Sequence, residues 1–178
     1  FGSQPLTGTY TVVATDISTS CTATMTGAVL INVNSLPDDF IITGNSSFCS
    51  GSTGTLLGLS GSETGVSYQL KLNGINSGVS VAGTGTSITF GNKNVAGSYS
   101  VVATNTSTLC TVSMSSSLSV FQNNSPAAFA VSGGGGFCQG GSGVSIDLSN
   151  SQIGVNYSLY NSSGNTGVNF NGNGAAIS

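Results

Sequence analysis

The sequence predicts an all-β fold repeated in tandem, and three observations carry that expectation. Runs rich in β-branched and aromatic residues alternate with polar ones and are bounded by Gly, Asn and Ser, the pattern of short half-buried strands. No window of ten or more residues carries a helical stripe, and 27 glycines oppose helix. The chain also matches itself without a gap at an offset of 89, half of its 178 residues. Gly8-Thr-Tyr-Thr-Val-Val-Ala-Thr15 returns as Gly97-Ser-Tyr-Ser-Val-Val-Ala-Thr104. Cys21 falls on Cys110, Met25 on Met114, Pro37 on Pro126, Phe48-Cys49 on Phe137-Cys138, and Gly65-Val66 on Gly154-Val155. About 34 of the 89 aligned pairs are identical.

In the one copy that reads as complete, strands are expected near Phe40–Thr43, Thr55–Ser60, Val66–Leu72, Gly78–Ala82, Ser87–Phe90, Ser98–Thr104 and Val112–Phe121. Each run is too short for a helix and ends at turn residues. Seven short strands in about 85 residues predict an immunoglobulin-like β-sandwich. In the third strand Val66, Tyr68, Leu70 and Leu72 share one face by the period of two. That face is expected to meet Leu57 and Leu59, and Tyr99, Val101 and Ala103. Val33–Asp39 and its copy Gln122–Ala128 read as linkers, each with a proline where no ladder donor is needed. The expected organisation is therefore 1–36 as the C-terminal part of one repeat, 37–125 as a complete repeat, and 126–178 as the N-terminal part of a third.

Composition excludes several functions. Charged residues make up 4% of the chain, against about 25% in ordinary soluble domains. Two lysines, no arginine and a net charge of −3 cannot neutralise a phosphate backbone, so no nucleic acid is expected as partner. No histidine is present, which removes the usual general base and the commonest metal ligand. No stretch approaches the roughly 18 apolar residues of a spanning helix, so no membrane insertion is expected. Without a basic apolar leader or initiator Met, the chain reads as a mature product or an excerpt of a longer one. Surfaces of Ser, Thr and Asn with four cysteines point to an oxidising extracellular setting.

Three stretches carry a resemblance: Phe48-Cys-Ser-Gly, Leu59-Ser-Gly-Ser-Glu-Thr-Gly-Val-Ser-Tyr-Gln-Leu70, and Ala96-Gly-Ser-Tyr-Ser-Val-Val-Ala-Thr-Asn105 with Cys110. Together they are similar to the tandem Ig-like repeats of very large Bacteroidota cell-surface proteins, gliding-motility adhesins among them. The resemblance covers the 89-residue unit in both copies and implies a type IX-secreted, repetitive stalk or filament at the cell surface. It implies neighbouring repeats, or other copies, as end-to-end partners. The second copy departs from the first where Glu63 becomes Gln152 and Thr64 becomes Ile153, which puts a role for the acid in doubt. The alternative reading is a module that binds glycan or another surface through its loops.

Candidate chemistry is sparse. A serine nucleophile would need Lys71, Lys93 or a carboxylate as base, and the lysines align with Tyr160 and Gln4, so no enzyme and no cofactor are expected. Asp38-Asp39 at a linker could bridge a hard cation, but its copy is Ala127-Ala128, and a solvated linker is the plainer reading. Asp16, Glu63 and Asp147 complete the acids, and no metal site is expected among them. Gly133–Gly136 and Gly83–Gly85 precede no helix and cannot be phosphate loops. Asn45, Asn105, Asn123, Asn156 and Asn161 open glycosylation patterns that a Ser-rich chain also produces by chance. Tyr10 and Tyr99 read as tyrosine corners, rings in the core with hydroxyls tied to backbone, in preference to a sugar-stacking platform. Phe48 and Phe137 read as plugs at a sandwich end.

Each 89-residue period holds two cysteines, one before the second strand and one after the sixth. A bond between Cys49 and Cys110 within the complete domain would close a long loop and stabilise it by about 4 kcal/mol, and Cys21 and Cys138 would then pair outside this chain. In a regular sandwich the two turns lie at opposite ends, however, so a staple between neighbouring domains and free thiols stay open.

Overall fold

Alternating patterning becomes strand throughout the computed structural model, which describes residues 1–178 and contains no helix. The chain divides into two compact units, one of residues 1–48 and 52–122, the other of residues 49–51 and 123–178. The first unit begins with four three-residue strands: β1 (Gly8–Tyr10), β2 (Val13–Thr15), β3 (Thr22–Thr24) and β4 (Val29–Ile31). They form two antiparallel pairs, β1 with β4 and β2 with β3, and bury little of their own surface.

Ten further strands follow: β5 (Ile42–Thr43), β6 (Ser47–Cys49), β7 (Thr55–Leu59), β8 (Val66–Leu72), β9 (Ile75–Asn76), β10 (Val81–Ala82), β11 (Ile88–Lys93), β12 (Gly97–Asn105), β13 (Thr111–Ser113) and β14 (Leu118–Asn123). A three-stranded sheet runs β11-β7-β5, and a seven-stranded sheet runs β10-β8-β12-β14-β6 with β9 beside β8 and β13 beside β12. The faces of the two sheets share one apolar cluster, a sandwich-like arrangement. Leu57 and Leu59 come from one sheet, and Val66, Tyr68, Leu70, Tyr99, Val101 and Ala103 from the other, all at most 2% exposed. Leu72, the last residue of the expected face, is only half-buried. Burying one such large apolar side chain stabilises by about 1.5–3 kcal/mol, so this cluster is what holds the sheets together.

The expected strand Phe40–Thr43 shortens to β5, paired with β7 in the small sheet, and β6, which the sequence did not predict, joins β14 in the large one. Gly44 sits between them at φ +147°, where a Cβ would lie 2.6 Å from a Leu57 methyl carbon and 2.7 Å from the Leu56 carbonyl oxygen. Only glycine lets the backbone cross there. The last expected strand divides into β13 and β14 around Met114, whose side chain turns into the core.

The second unit holds β15 (Val131–Gly133), β16 (Ile146–Leu148), β17 (Asn156–Asn161) and β18 (Gly164–Asn171), paired β15 with β16 and β17 with β18. Registers recur at the sequence offset. Ile42 faces Leu59 as Val131 faces Leu148, and Val81 faces Tyr68 as Phe170 faces Tyr157. Gly97 faces Val120 as Gly8 faces Ile31, and Ala103 faces Val112 as Ala14 faces Ala23.

Candidate functional site

The strand registers give the residue 40–122 sandwich two defined poles. Ile42 pairs with Leu59 at the end of β7, and the following turn reaches Thr106, whose N–H donates to the Gly65 carbonyl (2.9 Å) just beyond the end of β12. The chain therefore enters at the pole where β12 ends. Val120 of β14 lies opposite Gly97, where β12 begins, so the chain leaves from the opposite pole.

A hydrogen-bonded cluster fixes the entering segment. The Asp39 carboxylate accepts both the N–H and the O–H of Ser115, which hold its pKa below the ordinary 3.8, the hydroxyl contributing most. Asp38 and Asp39 are both exposed, as the reading of a solvated linker has it, and the Asp39 oxygens in addition anchor the entering segment to the link between β13 and β14. Asp38 donates its N–H to Glu63 Oε1. In the second unit Ala127 donates to Gln152 Oε1 over 3.1 Å. What this position supplies is a side-chain oxygen acceptor, and Glu and Gln both carry one. The Glu63 N–H in turn donates to the Tyr68 hydroxyl (2.8 Å), and the Gln152 N–H to that of Tyr157 (2.8 Å). Ser62 closes the same turn by donating to the Thr86 carbonyl (2.6 Å) and accepting the Thr84 N–H (3.0 Å); Ser151 does so with Ala175 and Asn173. Sequence reasoning placed Tyr68 on the buried face without its hydroxyl bond and passed over Ser62, although both are identical at the offset; the bonds of Ser62 bridge residues more than twenty apart.

Tyr99 is 1% exposed and donates its hydroxyl to the Val95 carbonyl (2.8 Å), four residues upstream. Tyr10 makes the same bond to the Leu6 carbonyl (3.0 Å) with its ring only half-buried. Burial raises the pKa of both Tyr68 and Tyr99 above 10.0. Asn105 Oδ1 accepts the N–H groups of Ser107 and Thr108, and Asp16 Oδ1 those of Ser18 and Thr19. These backbone donors, Thr19 first, hold the Asp16 pKa below 3.8. Of the five acids, Asp16 thus serves as a local acceptor at a turn.

The expected Cys49–Cys110 bond is corrected by the topology. Cys49 ends β6 beside Asn123, where the Ser50 N–H donates to the Asn123 carbonyl (2.8 Å). Cys110 sits at the other pole, its carbonyl accepting the Asn105 N–H (2.9 Å). The nine residues of β12 lie between them, a span on the order of 25 Å at about 3.3 Å per residue. A disulfide needs Cα atoms within about 7 Å. All four cysteines are free thiols, with Cys21, Cys49 and Cys138 exposed and Cys110 half-buried. Phe48 joins the core at 8% exposure, whereas Phe137 stands 62% exposed.

The second unit carries a cleft of about 450 Å³ walled by Val131, Ile146, Leu148, Tyr157, Leu159 and Phe170. Its only acid is Asp147, whose Oδ2 accepts from Ser145 (3.2 Å). The surface is an apolar sheet face and offers shape and burial. Comparison with protein-family models, curated proteins and solved structures gives no match.

Proposed function

We propose that this chain is a structural and adhesive segment of a secreted bacterial cell-surface stalk or filament, built of immunoglobulin-like sandwiches of 89 residues in tandem. The observation that carries the reading is polar threading: the residue 40–122 sandwich takes its chain in at one pole and releases it at the other. Units threaded in this way join end to end, and length then scales with copy number. The recurrence of strand registers at the sequence offset supports a repeated unit, as does the Glu63/Gln152 acceptor reused in both copies. The likeness to Bacteroidota surface repeats supplies the setting. Function here is mechanical and interfacial, and no bond-making chemistry is assigned to any residue. Antibodies to residues 37–125, applied in immunoelectron microscopy to the source cells, are expected to decorate surface fibres with an axial period of about 35–40 Å. Label confined to the cell interior would contradict the proposal.

A further inference from the structure

In the residue 40–122 sandwich the first strands are bonded directly to the last ones. The Phe121 N–H donates to the Ser46 carbonyl (2.9 Å), and the Ser50 N–H donates to the Asn123 carbonyl (2.8 Å). The residue numbers rise together, so β6 and β14 run parallel. Side chains continue the same seam toward the entering pole. The Ser116 hydroxyl accepts the Ile42 N–H (2.9 Å), Met114 Sδ accepts the Phe40 N–H (3.3 Å), and the Asp39 carboxylate accepts from Ser115. At the leaving pole Ser125 donates its hydroxyl to the Ser50 carbonyl (2.7 Å). These side-chain bonds join residues 74 to 76 apart, a near-constant offset that two segments keep when they run the same way. One seam thus joins residues 39–50 to residues 114–125 from pole to pole.

We propose that this seam is a force clamp, the element that bears tension when the sandwich is pulled along its chain. The inference deepens the filament reading above and rests on it for the source of the load. Tension pulls residues 39–50 toward the entering pole and residues 114–125 toward the leaving pole. Because the two segments run parallel, they part under that load by sliding along their own axes. Parallel ladders space their bonds evenly, and these bonds cross from strand to strand, so sliding loads them together and several must break in one step. Pulled from a single pole, the same bonds would be loaded one after another. The apolar cluster lies beside this path: Leu57, Tyr68, Leu70 and Val101 are 0% exposed, and water reaches them once the seam has parted. Forced unfolding is governed by the unfolding barrier and not by equilibrium stability. A seam that must break first therefore sets how long the domain survives under load, and its bonds matter more there than their share of the folding free energy.

The test holds the 178-residue chain at constant force in optical tweezers and records how long the sandwich survives before about 250 Å of extension is released. Handles on the two chain ends load the seam in shear. In a second chain carrying Cys21→Ser, Cys49→Ser and Cys138→Ser, all exposed positions, the C-terminal handle moves to Cys110 at the entering pole. Both loads then act at one pole, and survival at equal force is expected to fall roughly tenfold or more. Ser115→Ala with Ser116→Ala strips two hydroxyls from the seam and is expected to shorten survival under end-to-end load roughly tenfold. Ser62→Ala removes two bonds away from the seam. Its melting temperature is expected to fall at least as far, while survival under end-to-end load stays within about twofold. Equal survival in the two pulling directions overturns the clamp, and so does Ser62→Ala shortening survival as much as the seam variant. The direction comparison leaves the seam unaltered, so it decides the matter even where the serine variant fails to fold. Either contrary result leaves the filament reading to its own immunolabelling test.

Discussion

The same substitution at two matched positions separates burial from chemistry. Tyr99→Phe removes a hydroxyl that donates to the Val95 carbonyl at 2.8 Å from a side chain 1% exposed. Tyr10→Phe removes the matching bond to the Leu6 carbonyl at 3.0 Å, from a half-buried ring on strands that contribute nothing to the apolar cluster. The phenyl ring keeps its packing in both cases, so only the hydrogen bond is lost. At Tyr99 the lost bond and the stranded carbonyl together should cost about 1–2 kcal/mol. For a domain of this size 1 kcal/mol moves the melting temperature by about 4–8 °C. Calorimetry of the 178-residue chain is therefore expected to show the main transition lowered by about 4–16 °C for Tyr99→Phe. Tyr10→Phe should leave it within about 1 °C. Equal shifts for the two, or no shift for Tyr99→Phe, would refute the claim that this tyrosine ties a turn into the core.

Other outcomes are expected on the same physical grounds. Gly83→Ala would place a Cβ 1.9 Å from the Glu63 carbonyl oxygen, and backbone must move to relieve it; urea denaturation should show a loss of about 1–3 kcal/mol. The Asp39 pKa is lowered in the folded chain, so its contribution is present above pH 3.8 and is lost as pH falls through the lowered value. Asp39→Asn should flatten that acid limb in a pH series of melting temperatures. The pKa values of Tyr68 and Tyr99 are raised, so their contribution is full below pH 10.0 and is lost as pH rises through the raised values. With two lysines and five acids in 178 residues, melting should hardly change between low salt and about 0.15 M NaCl; a steep drop would show that charge pairing matters after all.

How much of this could be read from the residues depends on the range of the interaction. The alternating face of Val66, Tyr68 and Leu70 is a local signal with a period of two, and those three side chains are buried as the pattern requires. The crossing from β5 to the unpredicted β6 at Gly44 is set by the approach of Leu57 and by the Leu56 carbonyl, which no pattern within residues 40–49 encodes. The Asp39–Ser115 anchor joins residues 76 apart and hides behind the alanine at the matching position. Glu63 misled because its charge drew attention, whereas its oxygen does the binding and Gln152 supplies the same oxygen. The cysteines show the opposite case. Their spacing suggested a bond, and only the direction of β12 separates them to the two poles.

The measurement that tests the account most directly is amide hydrogen exchange on the 178-residue chain. Amides in β7, β8 and β12 should exchange only through global opening, whereas those of residues 1–36 and 126–178 should exchange faster by orders of magnitude. Uniformly strong protection along the whole chain would contradict the claim that the buried apolar cluster, and with it the stability, is confined to the residue 40–122 sandwich.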